Sequence, residues 1–265
     1  MKDFILLIPC FNNLGGLIDS LKSINYQPDK FEILVIDDGS KVPLNEAELS
    51  QTIQNIDIRV LRLQENVGIA KALNEGLKII HSSNDYKYIA RLDCGDTCHP
   101  KRFTEQVKYL DKHPEIGLLG TWCQFIDSAS GKRYTYKTKT EHEDILKEMH
   151  LKCSFIHPTV MFRKEVLDRI GYYPENYPHA EDYAFFWQIL KLFKGAIIPE
   201  IQVDIVMNTK TISANNFKKQ ALSRARIIKN FGHIPLLKLK GILATYLRII
   251  VPGRFIAYTK FFIYR

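Results

Sequence analysis

Two acidic clusters, far apart along the chain, carry side chains that could bind a cation or accept a proton. Asp93 and Asp96 stand three residues apart, directly after the apolar run YIARL. Glu181 and Asp182 form an adjacent pair just before the apolar segment YAFFWQIL. Carboxylates hold hard divalent cations and act as general bases, although aspartates are also common in turns and acids are favoured in the first turn of a helix. The strands and helices predicted around these residues indicate whether the acids form a site or are ordinary turn and helix-start residues.

The first part of the chain alternates between strand and helix patterns. FILLIP, FEILVI, IRVLRL and YKYIARL are short apolar runs that predict four strands. Apolar residues recur at helical spacing between residues 14 and 21 and between residues 69 and 80, and a third helix is predicted to open with Pro100 in its first turn. This order predicts an α/β fold with a mostly parallel central sheet flanked by helices.

Three polar segments coincide with the ends of these strands. IPCFN closes the first strand, DDGS the second and DCGD the fourth. Ligands of such folds bind beyond the carboxyl ends of the strands. Three polar clusters at one edge of the sheet therefore predict a binding site there.

The pattern is less regular beyond residue 118. GLLGTWCQFID and HPTVMFR are predicted strands, whereas EHEDILKEMHLK and AEDYAFFWQILKLF are predicted helices, the last beginning at the acidic pair. Phe185, Phe186 and Trp187 are interpreted mainly as core residues. His157 and His179 are each interpreted either as a ligand near the site or as a structural histidine, and the structural interpretation is preferred for His179.

Composition restricts the class of protein. The chain has 265 residues, of which 46% are hydrophobic and 25% charged, so one large domain, or one domain with an appendage, is expected. Five cysteines without a CxxC pair favour reduced thiols in a cytoplasmic protein over a disulfide framework or a zinc site. No apolar run is long enough to predict a signal peptide or a transmembrane helix.

Charge is distributed unevenly along the chain. The net charge is +8, yet no acidic residue follows Asp204, whereas twelve basic residues do. Residues 1–204 therefore carry 25 basic and 29 acidic residues, a net charge of −4. A mildly acidic body argues against nucleic acid as its partner.

The order and spacing of the motifs resemble the family 2 glycosyltransferases, inverting nucleotide-sugar enzymes of the GT-A fold. IPCFN matches the family's P-x-Y-N opening, DDGS its second motif, and NVGIAKALNEG its N-x-G-x-x-x-A-x-N-x-G helix start. RLDCGD matches its acidic metal motif, HPTVMFR an acceptor-side strand, and AEDYAFFW its E-D helix. The resemblance covers residues 3 to 205. It implies a catalytic domain over residues 1–208, with a nucleotide-binding half over about 1–120 and an acceptor half over about 121–208.

The resemblance also implies roles for individual residues. Phe11 stands where the family has a base-stacking tyrosine, and Asp38 is expected to accept a hydrogen bond from the base, with Asp37 capping the turn. Asp93 and Asp96 are expected to hold Mg²⁺ or Mn²⁺, and Asp182, assisted by Glu181, to take the proton of the acceptor hydroxyl. The full set expected around the nucleotide is Pro9, Phe11, Asn12, Asp38, Gly68, Lys71 and Asp93, with a core aromatic as the alternative for Phe11 and a surface lysine for Lys71.

One position departs from the family pattern. Gly95 stands where the usual D-x-D-D motif has its metal-binding aspartate, so the sequence does not decide which acid binds the metal. A non-catalytic binding module is therefore one alternative, which the retained Glu181–Asp182 pair disfavours. A nucleotidyltransferase is another, disfavoured because IPCFNNLGG is a poor match to a Gly-rich loop bearing Arg or Lys. The preferred function is transfer of a sugar from a UDP-linked donor to a glycan or lipid-linked acceptor in bacterial surface polysaccharide synthesis.

The basic tail, residues 209–265, has the pattern of a surface helix. LLKLKGILATYLRIIV is apolar around most of its circumference, with Lys238, Gly241, Thr245 and Arg248 on one narrow polar face. Basic and aromatic residues continue to Arg265. This pattern favours a helix lying on an anionic membrane surface, which would make the protein cytoplasmic and peripheral to the inner face of the membrane. The alternative is that the apolar face packs on the catalytic domain or on a second subunit.

Overall fold

A computed structural model describes residues 1–53, 56–207 and 216–250 of the chain. The strands of this part are β1 (Lys2–Cys10), β2 (Phe31–Asp37), β3 (Ile58–Arg62), β4 (Tyr86–Arg91), β5 (Thr97–Cys98), β6 (Ile116–Asp127), β7 (Arg133–Tyr136), β8 (Met161–Arg163) and β9 (Lys194–Met207). The helices are α1 (Leu14–Lys22), α2 (Glu46–Thr52), α3 (Ile69–Ser82), α4 (Arg102–Lys112), α5 (His142–Met149), α6 (Val166–Ile170), α7 (Glu181–Leu190), α8 (Phe217–Phe231) and α9 (Pro235–Ile250).

The described strands form one sheet in the order β3-β2-β1-β4-β8-β6-β9-β5, with β7 paired to β6. The first four strands of this order, β3, β2, β1 and β4, run parallel to one another, as the alternating pattern predicts. Beyond β4 the sheet is mixed, because β8 runs antiparallel to both β4 and β6. The α/β fold is confirmed, with its parallel part formed by β3, β2, β1 and β4.

β1 is buried on both faces, which explains its nearly continuous apolar sequence. Ile5 and Leu7 pack with the apolar face of α3, whereas Phe4, Leu6 and Ile8 belong to the core on the other side, which includes residues of α1 and α4. Alternate side chains of a strand point to opposite faces of a sheet. Helices on both faces therefore hold the carboxyl end of β1 at the rim of the sheet.

Three features of the fold differ from the sequence-based expectation or were not predicted. β9, fourteen residues long, was not predicted, and it pairs with almost the whole of β6. Only Met161–Arg163 of HPTVMFR is a strand, because His157–Thr159 forms a 3₁₀ turn with Pro158 near its start. Helix α4 begins at Arg102, so Pro100 lies before the helix instead of in its first turn.

Helix α8 packs on the segment before α7, and helix α9 approaches His150 at the end of α5. The Ser223 hydroxyl donates to the Pro178 carbonyl at 2.9 Å, and Gln220 donates to the His179 carbonyl at 2.9 Å. None of the helices in the described ranges is long and apolar enough to cross a membrane. The expected basic and aromatic segment from residue 251 to Arg265 lies outside the described residues.

Candidate active site

The end of β1 presents an aromatic ring to solvent. Phe11 is 47% exposed, so it is not the core aromatic that was its alternative. The next residue, Asn12, has a left-handed backbone with φ of 51°. Its amide donates to Ser40 Oγ at 2.9 Å, and its side-chain oxygen accepts from the Lys41 amide at 2.8 Å. Asn12 therefore joins the loops after β1 and β2 and holds Phe11 at the rim.

The two acids of DDGS hold two different loops. Asp37, fully buried, accepts from the amides of Ser40 and Leu44 and forms an ion pair with Arg62, which confirms its role as a turn cap. Asp38 accepts from the amides of Val67 and Gly68 at 2.8 and 3.1 Å, and also from the Asn66 side chain at 3.0 Å.

Burial raises the pKa of Asp38, while the amides of Val67 and Gly68 act in the opposite direction. Its carboxylate ties the start of α3 to the end of β2, which places Gly68, with φ of 86°, beside the expected nucleotide site. A hydrogen bond from a base to Asp38 remains a prediction, and it would add to these three bonds.

The DCGD segment forms a tight turn at the end of β4. The Asp96 amide donates to the Asp93 carbonyl at 3.0 Å, and Gly95 has φ of 104°. Ser20 of α1 braces the turn, accepting from the Gly95 amide at 2.9 Å. Positive φ at the third residue of such a turn favours glycine. The departure from the family pattern at Gly95 therefore has a backbone cause.

The two acids of the turn have different environments. The Asp93 carboxyl is 35% exposed and pairs with the Arg91 guanidinium. Asp96 is 6% exposed, and one of its oxygens accepts from the Val206 amide at 3.1 Å. Burial, reinforced by the nearby charge of Asp93, raises the pKa of Asp96 to about 8.

Arg91 is a positioning residue that sequence reasoning missed. Its side chain is fully buried and donates to the Leu7 carbonyl, to Asp93 and, at 3.3 Å, to His157 Nε2. The Tyr173 hydroxyl lies 2.9 Å from the same nitrogen. The available signal was an arginine inside an otherwise apolar strand, because a buried charge requires partners.

The same network supports the structural interpretation of His157. Burial, followed by the charge of Arg91, lowers the pKa of His157 well below its usual value, so the ring is neutral. Its described contacts are with the side chains of Arg91 and Tyr173 inside the protein. His179 has a left-handed backbone with φ of 62°, and such strain is common beside functional residues.

The acidic pair begins helix α7. Glu181 is 8% exposed, Asp182 is partly exposed, and the Tyr183 amide donates to Asp182 at 2.7 Å. Burial raises the pKa of both carboxyls, and the charge of Asp93 contributes to both shifts. Asp93 must therefore lie within electrostatic range of the pair. The fold brings the two acidic clusters together, across nearly ninety residues of sequence.

Arg224 of α8 is a second residue that sequence reasoning missed. Its guanidinium lies over the Tyr183 ring, 5.7 Å from the ring centroid. Its positive charge lowers the pKa of Asp182, opposing the effect of burial. No sequence pattern indicates this contact, because the pattern of the basic tail favours a helix on a membrane surface.

The remaining expected residues lie at or near the same edge. Pro9 pairs in register with Ile36 near the end of β1, and Lys71 is exposed in the first turn of α3, as expected for its surface alternative. Phe185, Phe186 and Trp187 are buried, which confirms their assignment to the core.

Comparison with known proteins agrees with this geometry. The model of the family described as "Glycosyl transferase family 2" matches residues 5–171. This match covers more than half of the chain and includes the ends of β1, β2 and β4. The chain belongs to this family.

Curated relatives of this glycosyltransferase have related names. It is 29% identical over 194 residues to the amylovoran biosynthesis glycosyltransferase AmsE of Erwinia amylovora, covering 71% of this chain and 70% of AmsE. It is 26% identical over 220 residues to an Escherichia coli enzyme named UDP-Gal:alpha-D-GlcNAc-diphosphoundecaprenol beta-1,3-galactosyltransferase. The match covers 82% of this chain and 77% of that enzyme. The chain also matches the bifunctional glycosyltransferase pgtA of Dictyostelium discoideum at 28% identity, covering 81% of this chain but only 32% of pgtA.

Solved structures share the fold. TarS residues 1–349 of S. aureus superposes with a TM-score of 0.66 at 20% identity, covering 93% of this chain and 71% of TarS. The mannosyltransferase PcManGT of Pyrobaculum calidifontis was solved in complex with GDP-Man and Mn²⁺. It superposes with a TM-score of 0.62 at 16% identity, covering 92% of this chain and 69% of PcManGT. These similarities confirm the GT-A fold of this glycosyltransferase.

The residues at the end of β4 fit a divalent cation only with help from a substrate. No group of three or more histidine, cysteine or acidic side chains within residues 1–53, 56–207 and 216–250 is placed to hold a metal ion. Asp93 and Asp96 supply two carboxylates. Burial and then the charge of Asp93 raise the pKa of Asp96, and a cation would act in the opposite direction. Mg²⁺ typically binds through one or two carboxylates together with substrate phosphates and water. The donor set therefore fits a cation that arrives with a diphosphate.

Proposed function

We propose that this chain is an inverting glycosyltransferase that moves a sugar from a UDP-sugar donor to a glycan or lipid-linked acceptor. The observation that carries the proposal is that Arg91 links Asp93, at the end of β4, through His157 to helix α7, which begins with the acidic pair. A donor bound along the ends of the parallel strands would place its sugar between these clusters. The nucleotide-binding half is proposed to span about residues 1–120 and the acceptor half about residues 121–208.

The proposed donor site uses the exposed ring and the loops beside it. Phe11 stacks on the base, Asp38 accepts from the base edge, and Lys71, on α3, contacts a phosphate. Asp93 and Asp96 would hold Mg²⁺ or Mn²⁺, which neutralises charge on the leaving diphosphate. Arg91 holds Asp93 in place throughout.

The proposed transfer is a single displacement. The acceptor hydroxyl oxygen forms a bond to the anomeric carbon as the bond between that carbon and the diphosphate oxygen breaks, and the diphosphate leaves with the electron pair. Asp182 takes the hydroxyl proton, and Glu181 supports it from the adjacent position. Attack from the face opposite the leaving group inverts the configuration at the anomeric carbon.

The names of relatives support the setting of the proposal. AmsE is named for amylovoran biosynthesis, and the Escherichia coli relative is named for a diphosphoundecaprenol-linked acceptor. TarS has been solved with UDP and with UDP-GlcNAc. We therefore propose bacterial surface polysaccharide synthesis at the inner face of the membrane as the setting for this chain.

Calorimetry with UDP, with and without Mn²⁺, tests the donor site, and a screen of UDP-sugars for thermal protection identifies the donor. We expect UDP to bind and Mn²⁺ to increase its affinity. Binding of UDP without transfer of any sugar to isolated lipid-linked acceptors would favour the non-catalytic module. Absence of nucleotide binding would contradict the proposal altogether.

A further inference from the structure

Helix α9 turns an apolar surface toward solvent. Five side chains are exposed by between 47% and 76%: Leu236, Leu239, Leu243, Tyr246 and Leu247. At 100° per residue they fall within one sector of about 100° on the helix. We name these five residues the leucine stripe. A contiguous exposed apolar patch of this kind indicates an interaction surface.

The opposite sector of α9 packs on the protein. A Cβ atom at Gly241 would lie 1.8 Å from the His150 carbonyl oxygen, so the helix approaches closely at this point. Thr245, one turn on, is 6% exposed and donates to the Gly241 carbonyl at 2.8 Å. Small residues permit the contact. Gly241 and Thr245, two residues of the narrow polar face, therefore lie on the buried side of α9. In the sequence-based alternative the apolar face packs on the catalytic domain or on a second subunit. Ile242 of α9 does pack against the core, whereas the leucine stripe faces solvent.

Positive charge borders the stripe. A groove of about 460 Å³ between α8 and α9 is lined by the apolar side chains of Leu222 and Tyr246, with Lys219, Arg226 and Lys229 of α8 also lining it. Lys240 is exposed on α9 just outside the sector of the stripe. No acidic residue follows Asp204 in the sequence, so no acid of α8 or α9 neutralises these cations.

We propose that the leucine stripe docks on an anionic lipid membrane, with its leucines in the acyl boundary and the flanking cations at the phosphate headgroups. Interfacial helices combine an apolar sector with Lys and Arg in this way. This docking rests on the proposed function, because it would bring the site to a lipid-linked acceptor in the membrane. A second copy of the chain fits the surface less well, because a symmetric pairing would bring the same cations of both copies together.

The test compares two substitutions of equal exposure in the full chain. Leu243 in the stripe and Leu192 after α7 are both 54% exposed. Leu243→Glu and Leu192→Glu therefore add the same charge at the same exposure, and they differ only in location. Each variant and the wild type are sedimented with phosphatidylcholine–phosphatidylglycerol vesicles and with pure phosphatidylcholine vesicles, at low and high salt.

We expect the wild type and Leu192→Glu to bind the anionic vesicles at low salt, and Leu243→Glu to bind at least about tenfold more weakly. Equal binding of the two variants, or no preference for anionic vesicles, would overturn the proposal. A wild-type dimer that Leu243→Glu converts to monomer, without vesicle binding, would also overturn it in favour of a second copy. UDP protection against unfolding, measured in the same variants, reports on the proposed function separately.

Discussion

Asn74 and Tyr173, 99 residues apart in sequence, are joined by two hydrogen bonds in opposite directions. Asn74 Nδ2 donates to the Tyr173 carbonyl at 3.0 Å, and the Tyr173 amide donates to Asn74 Oδ1 at 2.9 Å. Asn74 is 6% exposed on α3, and Tyr173 opens the segment that leads to Glu181. The pair therefore fixes helix α3 against the segment that carries the acidic pair.

Replacement of Asn74 should be costly, because it leaves a buried amide and carbonyl without partners. We expect Asn74→Ala to reduce the free energy of unfolding by about 2–4 kcal/mol, measured by urea denaturation. Asn84→Ala, at an exposed asparagine, is the control and should change it by less than about 0.5 kcal/mol. Similar losses in the two variants would show that the pairing does not hold helix α3 against that segment.

Asp182→Asn should abolish transfer while preserving the donor site. The amide cannot take the hydroxyl proton, so we expect a loss of roughly 10² or more in kcat. UDP affinity by calorimetry should remain within about twofold, because the base acts on the acceptor and not on the nucleotide. Asp144→Asn, at an exposed acid of α5, is the control. Near-normal turnover by Asp182→Asn would remove this residue from the mechanism.

The pH dependence of transfer should report on Asp182 and Arg224. Burial raises the pKa of Asp182 to about 6, so activity should rise with pH through that value as the base ionises. Arg224→Gln removes a positive charge that favours the ionised form, so the acidic limb of the profile should move to higher pH. Arg226→Gln on the same helix is the control. A profile that Arg224→Gln leaves in place would contradict this role.

Glu181 should make the apo-protein less stable as pH rises. Burial raises its folded pKa to about 7 from an ordinary value near 4.5, so the folded state holds a proton that the unfolded state has lost between these values. Stability from this group is therefore present below pH 4.5 and is lost as pH rises to about 7. Glu181→Gln should flatten that decline in the melting temperature, whereas the exposed control Glu143→Gln should not. A decline of unchanged steepness in Glu181→Gln would exclude Glu181 as its source.

Gly95 is predicted to resist replacement by the family's usual aspartate. A Cβ there would meet only an Asn13 side-chain atom at 3.5 Å, so space is available, but φ of 104° disfavours any other residue. We expect Gly95→Asp and Gly95→Ala to lower stability by about 1–2 kcal/mol. Gly15→Ala, in helix α1 with open space around it, should instead be neutral or stabilising by up to about 1 kcal/mol. A Gly95→Asp variant as stable as the wild type would contradict the backbone explanation.

The motif order predicted both the family and the parallel part of the sheet. The apolar runs of β1 and β2 are nearly continuous because these strands are buried on both faces, whereas β3, at the edge of the sheet, is partly exposed. β9 was missed although it is the longest described strand. Its sequence, KGAIIPEIQVDIVM, interrupts the apolar run with Pro199 and Glu200, and only pairing with β6 reveals it as a strand.

The sequence by itself determined which residue types stand at the ends of the strands, since apolar periodicity and turn chemistry are local properties. Only the tertiary structure decided that Asp93 lies near Asp182, that Arg91 and Arg224 adjust the charge around these acids, and that α9 buries Gly241 and Thr245. These outcomes depend on contacts between segments distant in the chain. Long-range packing sets both the electrostatic field at a carboxylate and the face that a helix leaves to solvent, and neither is encoded in a local pattern.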